Sequence, residues 1–202
     1  PTSAGRRDGS VIEYKKKLTS TQSNPLKSLT KGKRSTGGRN NQGRTTNLYR
    51  GGGNKRTYRL VDFKYDKKDI PARVETIEYD PNRTGFIALV VFKDGERRYV
   101  LAPQGLAQHD EIITSETAKV KVGNRLPLKA ISVGTFVYNV ELKPGAGAKI
   151  ARSAGNYVEV VAQDDNYTLL KMPSSEIRRV ISTAWASVGA VSNEENRLVD
   201  IG

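Results

Sequence analysis

Between Ser35 and Arg59 the chain reads STGGRNNQGRTTNLYRGGGNKRTYR, a run with almost nothing to bury. Leu48, Tyr49 and Tyr58 are its only side chains able to pack, and Tyr58 reads as the start of a core. Arg39, Arg44, Arg50, Lys55, Arg56 and Arg59 lie in it, Arg34 stands just upstream, and no acid balances them. Such a segment cannot remove enough apolar surface from water to offset the entropy of ordering it. It is excluded from any core, so the fold must be built by the rest of the chain. Its glycines let backbone approach a partner without a Cβ in the way. Its cations and amides suit a polyanion. The expectation is an extended basic arm, ordered by something outside the chain.

The charge distribution sharpens this. Of the formal net charge of +13, all resides in residues 1–59, which hold 15 Lys or Arg against Asp8 and Glu13. Residues 60–202 hold 19 Lys or Arg and 19 acids and are neutral. A neutral body with a basic arm is the pattern of a tail that grips nucleic acid; a solvated tail kept for solubility is the bland alternative. Upstream of the arm, Val11, Ile12, Tyr14 and Leu18 are the candidates for a short packed piece, Lys15–Lys17 is a charge run, and Asn24-Pro25 and Lys31-Gly32 read as loop breaks. No apolar run approaches the 18 residues of a membrane span, and no membrane partner is expected. The absence of cysteine excludes a disulfide framework and a thiolate zinc site.

From Lys55 onward every signal is for strands. Arg56–Lys64, Arg73–Tyr79, Phe86–Phe92, Arg97–Ala102, Glu111–Thr114 and Ala118–Val122 are short β-rich segments. FIALVVF at 86–92 has no alternation and predicts a central strand buried on both faces. In 73–79, Val74 and Thr76 alternate against Glu75, Ile77 and Tyr79. Asp80-Pro81-Asn82-Arg83 has the chemistry of a type I turn, and Asp94-Gly95 predicts a two-residue primed hairpin turn. This spacing suggests a small antiparallel barrel of the OB type. Gly123–Pro127 breaks the pattern. Beyond it, Gly134–Leu142, Tyr157–Ala162, Tyr167–Met172, Glu176–Ile181 and Ser187–Val191 read as strands of a second small barrel, SH3-like, with a long small-residue loop at Lys143–Gly155. The expected architecture is all-β: an extended basic arm over 1–54, an OB-like barrel over 55–123 and an SH3-like barrel over 124–202.

Catalytic chemistry has little to work with, and the chain does not read as an enzyme. His109 is the single histidine, Gly32-Lys33 is followed by Arg34 rather than the hydroxyl of a phosphate-binding loop, and Ser153 lacks the preceding glycine of a nucleophile elbow. No cofactor or metal is expected. Three elements suit an anion instead: the arm cations; Arg83 in its turn, with Thr84 and Gly85; and Lys143, Lys149, Arg152 and Ser153 on the glycine-rich loop. Exposed rings near the arm are few, which favours backbone and shape readout over base-sequence readout. A transient OB-type factor for RNA or single-stranded DNA is the second reading, and an enzyme acting on nucleic acid the third.

Eight motifs occur in order: STGGRNNQGR at 35–44, GGGNKR at 51–56, YRLVDF at 58–63, EYDPNR at 78–83, KDGERRYVLAP at 93–103, GNRLP at 123–127, NVELKPG at 139–145 and ARSAG at 151–155. Together they resemble the L-two family of large-subunit ribosomal proteins, bacterial or organellar in type. The resemblance implies an OB-like and an SH3-like barrel with tails threaded into large-subunit rRNA. It further implies a place near the peptidyl-transferase region of a cytoplasmic or organellar ribosome, and contacts with other ribosomal proteins and the small subunit. It implies RNA contacts by the arm cations Arg39 to Arg59, by Arg83 and by Arg152. This sequence departs from the family pattern in having Asn54 and Tyr138 where the family has histidine, and Gly145-Ala146-Gly147-Ala148-Lys149 where it has a GKGGQ-type run. The family also continues beyond this sequence with a basic, histidine-bearing tail, whose roles are not carried over.

Overall fold

The computed structural model describes residues 3–19, 25–51 and 53–201. Asn24, Gly52 and the ends at Pro1 and Gly202 lie outside the described residues. Two barrels carry the core. The first is a four-stranded antiparallel sheet in which β3 (Ala72–Glu78), β4 (Ile87–Phe92), β5 (Arg97–Leu101) and β6 (Glu111–Ile112) run in the order β5-β4-β3-β6. The second is a six-stranded sheet built from β7 (Arg125–Pro127), β8 (Phe136–Tyr138), β9 (Val158–Gln163), β10 (Tyr167–Lys171), β11 (Ile177–Ile181) and β12 (Trp185–Val188). Ahead of both, β1 (Thr30–Lys33) and β2 (Arg56–Arg59) form a separate two-stranded ribbon. The fold is all-β, OB-like then SH3-like; among the described residues the two α-helices, α1 (Ala4–Asp8) and α2 (Tyr14–Lys17), are single turns.

The strand β4 explains why FIALVVF lacks alternation. Ala88 and Val90 face one cluster with Val74, Phe86 and Val100. Ile87 and Leu89 face another with Tyr99, against which Leu26, Leu29 and Val61 pack. The second face is thus covered by chain from the arm side. The cover is also hydrogen-bonded: Leu60 N donates to Leu29 O at 2.9 Å, and Leu26 N donates to the Tyr99 hydroxyl at 3.0 Å. That hydroxyl in turn donates to Glu78 Oε2 at 2.9 Å. Lys31-Gly32, expected as a loop break, is instead the middle of β1. The ribbon has no apolar periodicity to announce it and is held by backbone pairing and this anchorage. Tyr58, expected in the core, lies on β2 and is 36% exposed.

Other differences have local causes. In β3 a bulge at Glu75 interrupts the pairing with β4, so Val74 and Ile77 both turn inward although their spacing is odd. The hairpin at Asp94-Gly95 closes with Gly95 N donating to Phe92 O and Phe92 N to Glu96 O. That is a three-residue loop with only Gly95 at positive φ (87°), not the two-residue primed turn, which needs positive φ at both central residues. Ala118–Val122 is not a strand. Asn124 gathers this segment into turns by donating to Lys119 O and accepting from Ile113 N. Gly123–Pro127, expected as a break, contains the buried strand β7.

The Tyr99 hydroxyl is the single link between Leu26 N and Glu78. Tyr99→Phe is expected to cost about 1–3 kcal/mol in chemical denaturation, because it strands both partners in a buried setting. An unchanged denaturation midpoint would show that the arm-side cover does not depend on this link.

Candidate nucleic-acid interface

Phe63 lies on the connection between β2 and β3, and its ring is shared by two guanidiniums. Arg152 stacks at 4.1 Å from the ring centroid and Arg83 lies at 5.5 Å. These residues come from different barrels, so the two loops that sequence reading treated separately meet here. Asp80 builds the first: its Oδ1 accepts from Asn82 N at 2.9 Å and its Oδ2 from Arg83 Nε at 2.6 Å. Asp80 is fully buried, so the turn is fixed from inside, and the Arg83 side chain it holds keeps 14% of its surface exposed. The second loop docks on Phe63 through its backbone: Ala148 N donates to Phe63 O at 2.7 Å. Gly147, at φ +78°, passes so close that a Cβ would lie 2.8 Å from Phe63 O. Arg152 Nη1 then donates to Ala148 O at 3.2 Å, which aims the guanidinium across the ring. Ala154 N donates to Thr84 Oγ1 at 3.0 Å and joins the two loops directly.

The ribbon adjoins the same turn. Arg56 Nη1 donates to Pro81 O at 3.0 Å, Asn82 Nδ2 donates to Thr57 O at 2.7 Å, and Lys33 Nζ reaches Asn82 Oδ1 at 3.5 Å. Lys33 pairs directly opposite Arg56 across the ribbon. Like charges placed opposite each other on a sheet are destabilising without a counter-charge. Lys31 and Lys33 were missed in the sequence because β1 was missed; the cross-strand register is the only signal that puts them here. The exposed cations therefore run from Lys33 and Arg56 to Arg152, with Arg83, its side chain 14% exposed, set between them.

The remaining expected residues are placed as follows. Arg39, Arg44, Arg50 and Lys55 are exposed, as are Lys143, Lys149 and Ser153 on the long loop. Arg59 departs from expectation: it is 4% exposed, with Nη1 donating to Thr57 O, because its position on β2 turns inward. It does not contribute to the exposed surface. The arm itself is not featureless. Asn40 Oδ1 accepts from Gln42 N and Arg44 N, Gly38 O accepts from Thr46 N and Asn47 N, and Arg39 bridges Thr45. Residues 36–47 thus form a loop closed by its own hydrogen bonds, a source of order that the apolar count overlooked. Asn54 accepts from Lys55 N, and Tyr138 is buried, where burial pushes its phenol well up.

Beneath the surface lies Arg125, which is 1% exposed. It donates to Glu141 Oε1 at 2.9 Å and Asn139 O at 2.7 Å, and its guanidinium sits 4.3 Å from the Tyr65 ring centroid. Tyr65 follows Phe63 by two residues and accepts on its hydroxyl from Asn139 Nδ2 at 2.8 Å. Burial pushes the Tyr65 phenol up, opposed in part by Arg125. The 63–65 segment is in this way fastened to the second barrel. Among the described residues, no group of three or more His, Cys, Asp or Glu could hold a metal ion, and no helix is long and apolar enough to cross a membrane.

Comparison with known proteins matches residues 26–114 to the family described as Ribosomal Proteins L2, RNA binding N-terminal domain, and residues 121–202 to Ribosomal Proteins L2, C-terminal domain. Among similar relatives is the large ribosomal subunit protein uL2 of Granulibacter bethesdensis, 52% identical over the whole chain and 72% of its own length. The uL2 protein of Methylococcus capsulatus is 51% identical over the same shares. That of Hyphomonas neptunium is 51% identical over 96% of this chain and 70% of its own length.

Gly147→Ala tests the docking of the loop. The added Cβ meets Phe63 O and the positive φ becomes strained, at about 1–2 kcal/mol for the conformation alone. The expected outcome is faster hydrogen exchange at Ala148 N with the second-barrel core unaffected; unchanged exchange at that amide would show that the close approach is not needed.

Proposed function

The chain belongs to the L2 family of ribosomal proteins, and we propose that it holds large-subunit rRNA along one cationic strip spanning both barrels. It is a structural protein of the large subunit of a bacterial-type cytoplasmic ribosome. The observation that carries the mechanism is the seating of Arg83 and Arg152 against one ring, that of Phe63. Guanidiniums held this way are pre-aimed, so less side-chain entropy is lost when each binds phosphate oxygens. Because one comes from each barrel, the spacing of the barrels sets the distance between the two backbone segments they grip. That is readout of shape rather than of base sequence.

The arm over 1–54 extends the strip. Arg39, Arg44 and Arg50 ride on the self-closed loop, and Lys55 and Arg56 join it to the body. Lys143, Lys149 and Ser153 widen the far end. The OB-like barrel over 55–123 and the SH3-like barrel over 124–202 serve as the rigid frame. The protein acts by charge and geometry, supporting subunit assembly, the peptidyl-transferase region and contact with the small subunit, and catalyses no chemistry itself.

Binding to a large-subunit rRNA transcript is expected to weaken steeply with salt, by about 0.9 in log affinity per log salt for each phosphate neutralised. Arg152→Ala is expected to lower that slope by about one phosphate while thermal unfolding stays close to that of the parent, since the side chain is exposed. A nearly flat salt dependence would overturn the electrostatic mechanism, and loss of the protein from large subunits in a high-salt wash would favour a transient factor.

A further inference from the structure

Beside the strip lies a recess of about 250 Å³, between α2, the Asp80–Arg83 turn and the segment 193–196. One wall is aromatic. Tyr14 and Tyr79 meet edge to face with ring centroids 5.3 Å apart, and Tyr14 also contacts Phe86 at 6.0 Å. Yet the two tyrosines remain 36% and 39% exposed. Burial, and then the neighbouring Tyr79, hold the Tyr14 phenol up, so it is a protonated donor at ordinary pH.

The opposite side is made of amides, Asn82, Asn193 and Asn196. Asn193 is 3% exposed, and its Nδ2 donates to Thr84 O at 2.7 Å, which fixes the orientation of the amide. Its Oδ1 finds no donor among the described residues. A buried acceptor without a donor is costly, and this one belongs to a side chain lining a recess. Arg56 and Arg83 flank the opening, and among the described residues no carboxylate lines it.

These features together select one ligand chemistry. A phosphate alone needs the arginines but not an aromatic wall. An apolar ligand needs the wall but neither amides nor cations. A nucleotide within an RNA strand needs all three: a π-face to stack, a polar edge for amides that both donate and accept, and flanking phosphates for guanidiniums. We propose that the recess receives one unstacked nucleobase of the bound RNA, making it a base-reading point within a surface that otherwise reads backbone and shape. This rests on the RNA-binding reading above. The N-terminal segment is part of the device because it supplies Tyr14. It is tied down by Thr19, which exchanges hydrogen bonds with Ile77, by a Lys17–Glu195 ion pair at 2.8 Å, and by Ser10 pairing with Asp200. Tyr14 is therefore positioned by both barrels.

The test is modification interference with the full chain. A bacterial large-subunit rRNA transcript is sparsely modified on Watson–Crick edges with dimethyl sulfate and carbodiimide, and the protein-bound fraction is sequenced. One unpaired position is expected to be depleted about five-fold or more from RNA bound by the parent protein, the range of a lost base contact. Tyr79→Ala and Asn196→Ala are expected to relieve depletion at that position alone. Both side chains are partly exposed, and folding is verified by chemical denaturation. If neither variant relieves depletion at any unpaired position while the parent still binds with steep salt dependence, the base site is overturned and the phosphate reading stands. If the parent does not bind the transcript at any salt concentration, the reading beneath both is overturned.

Discussion

The geometry of the surface depends on one buried cation. Arg125 leaves water almost completely, a step that costs several kcal/mol unless its charge and donors are met. Glu141 meets the charge, and backbone oxygen of Asn139 and the Ser187 hydroxyl take further donors. The open face of the guanidinium is covered by Tyr65, which comes from the first barrel's side of the chain. Satisfying Arg125 thus requires the 63–65 segment to lie against the second barrel. Phe63 is carried with it, and its carbonyl becomes the acceptor on which the Lys143–Gly155 loop closes.

This ordering separates what positions the strip from what points it. A cation over a half-buried ring contributes about 0.5–2 kcal/mol, so Phe63 alone could not hold two barrels together through Arg83 and Arg152. Removing one partner of a buried pair costs about 3–5 kcal/mol, so the Arg125–Glu141 pair fixes the frame of the second barrel, and Tyr65, lying over Arg125 and accepting from Asn139, ties the 63–65 segment to that frame. The weak contacts direct side chains on a frame that strong contacts have already fixed. The charged ribbon shows the same division. Backbone pairing and the Leu26–Leu29 cover place Lys33 opposite Arg56 despite their repulsion, and that repulsion is relieved when an anion lies between them.

The sequence made the strands legible wherever burial imposed a pattern. FIALVVF declared a strand covered on both faces, and the motifs around Arg83 and Arg152 declared two anion-suited loops. What it concealed were features set by contacts between distant residues. The strand β7 sits inside Gly-Asn-Arg-Leu-Pro, a composition that reads as a break, because the burial of Arg125 is decided by Glu141, Asn139 and Tyr65. The ribbon strand β1 has no apolar alternation, because its neighbours rather than its own side chains hold it. Arg59 carried the same local signal as Arg56, and only strand register turns one inward and the other out. The arm loop escaped notice for a related reason: its order comes from Asn40 and Gly38 hydrogen bonds, which an apolar count does not weigh.

The convergence on Phe63 also changes what kind of recognition the charge excess can perform. A basic arm alone would bind any polyanion, with affinity set by charge count and salt. On the proposed reading, two guanidiniums on separate barrels, referenced to one ring, favour RNA whose backbone segments approach at the matching distance. The arm's self-closed loop then adds cations that need not be fully ordered from a random chain. Selectivity comes from the neutral body, which contributes no net charge but fixes where the few exposed arginines stand. The thirteen excess charges supply attraction, and in the proposed mechanism the buried Arg125 network sets the geometry through which a folded RNA meets it.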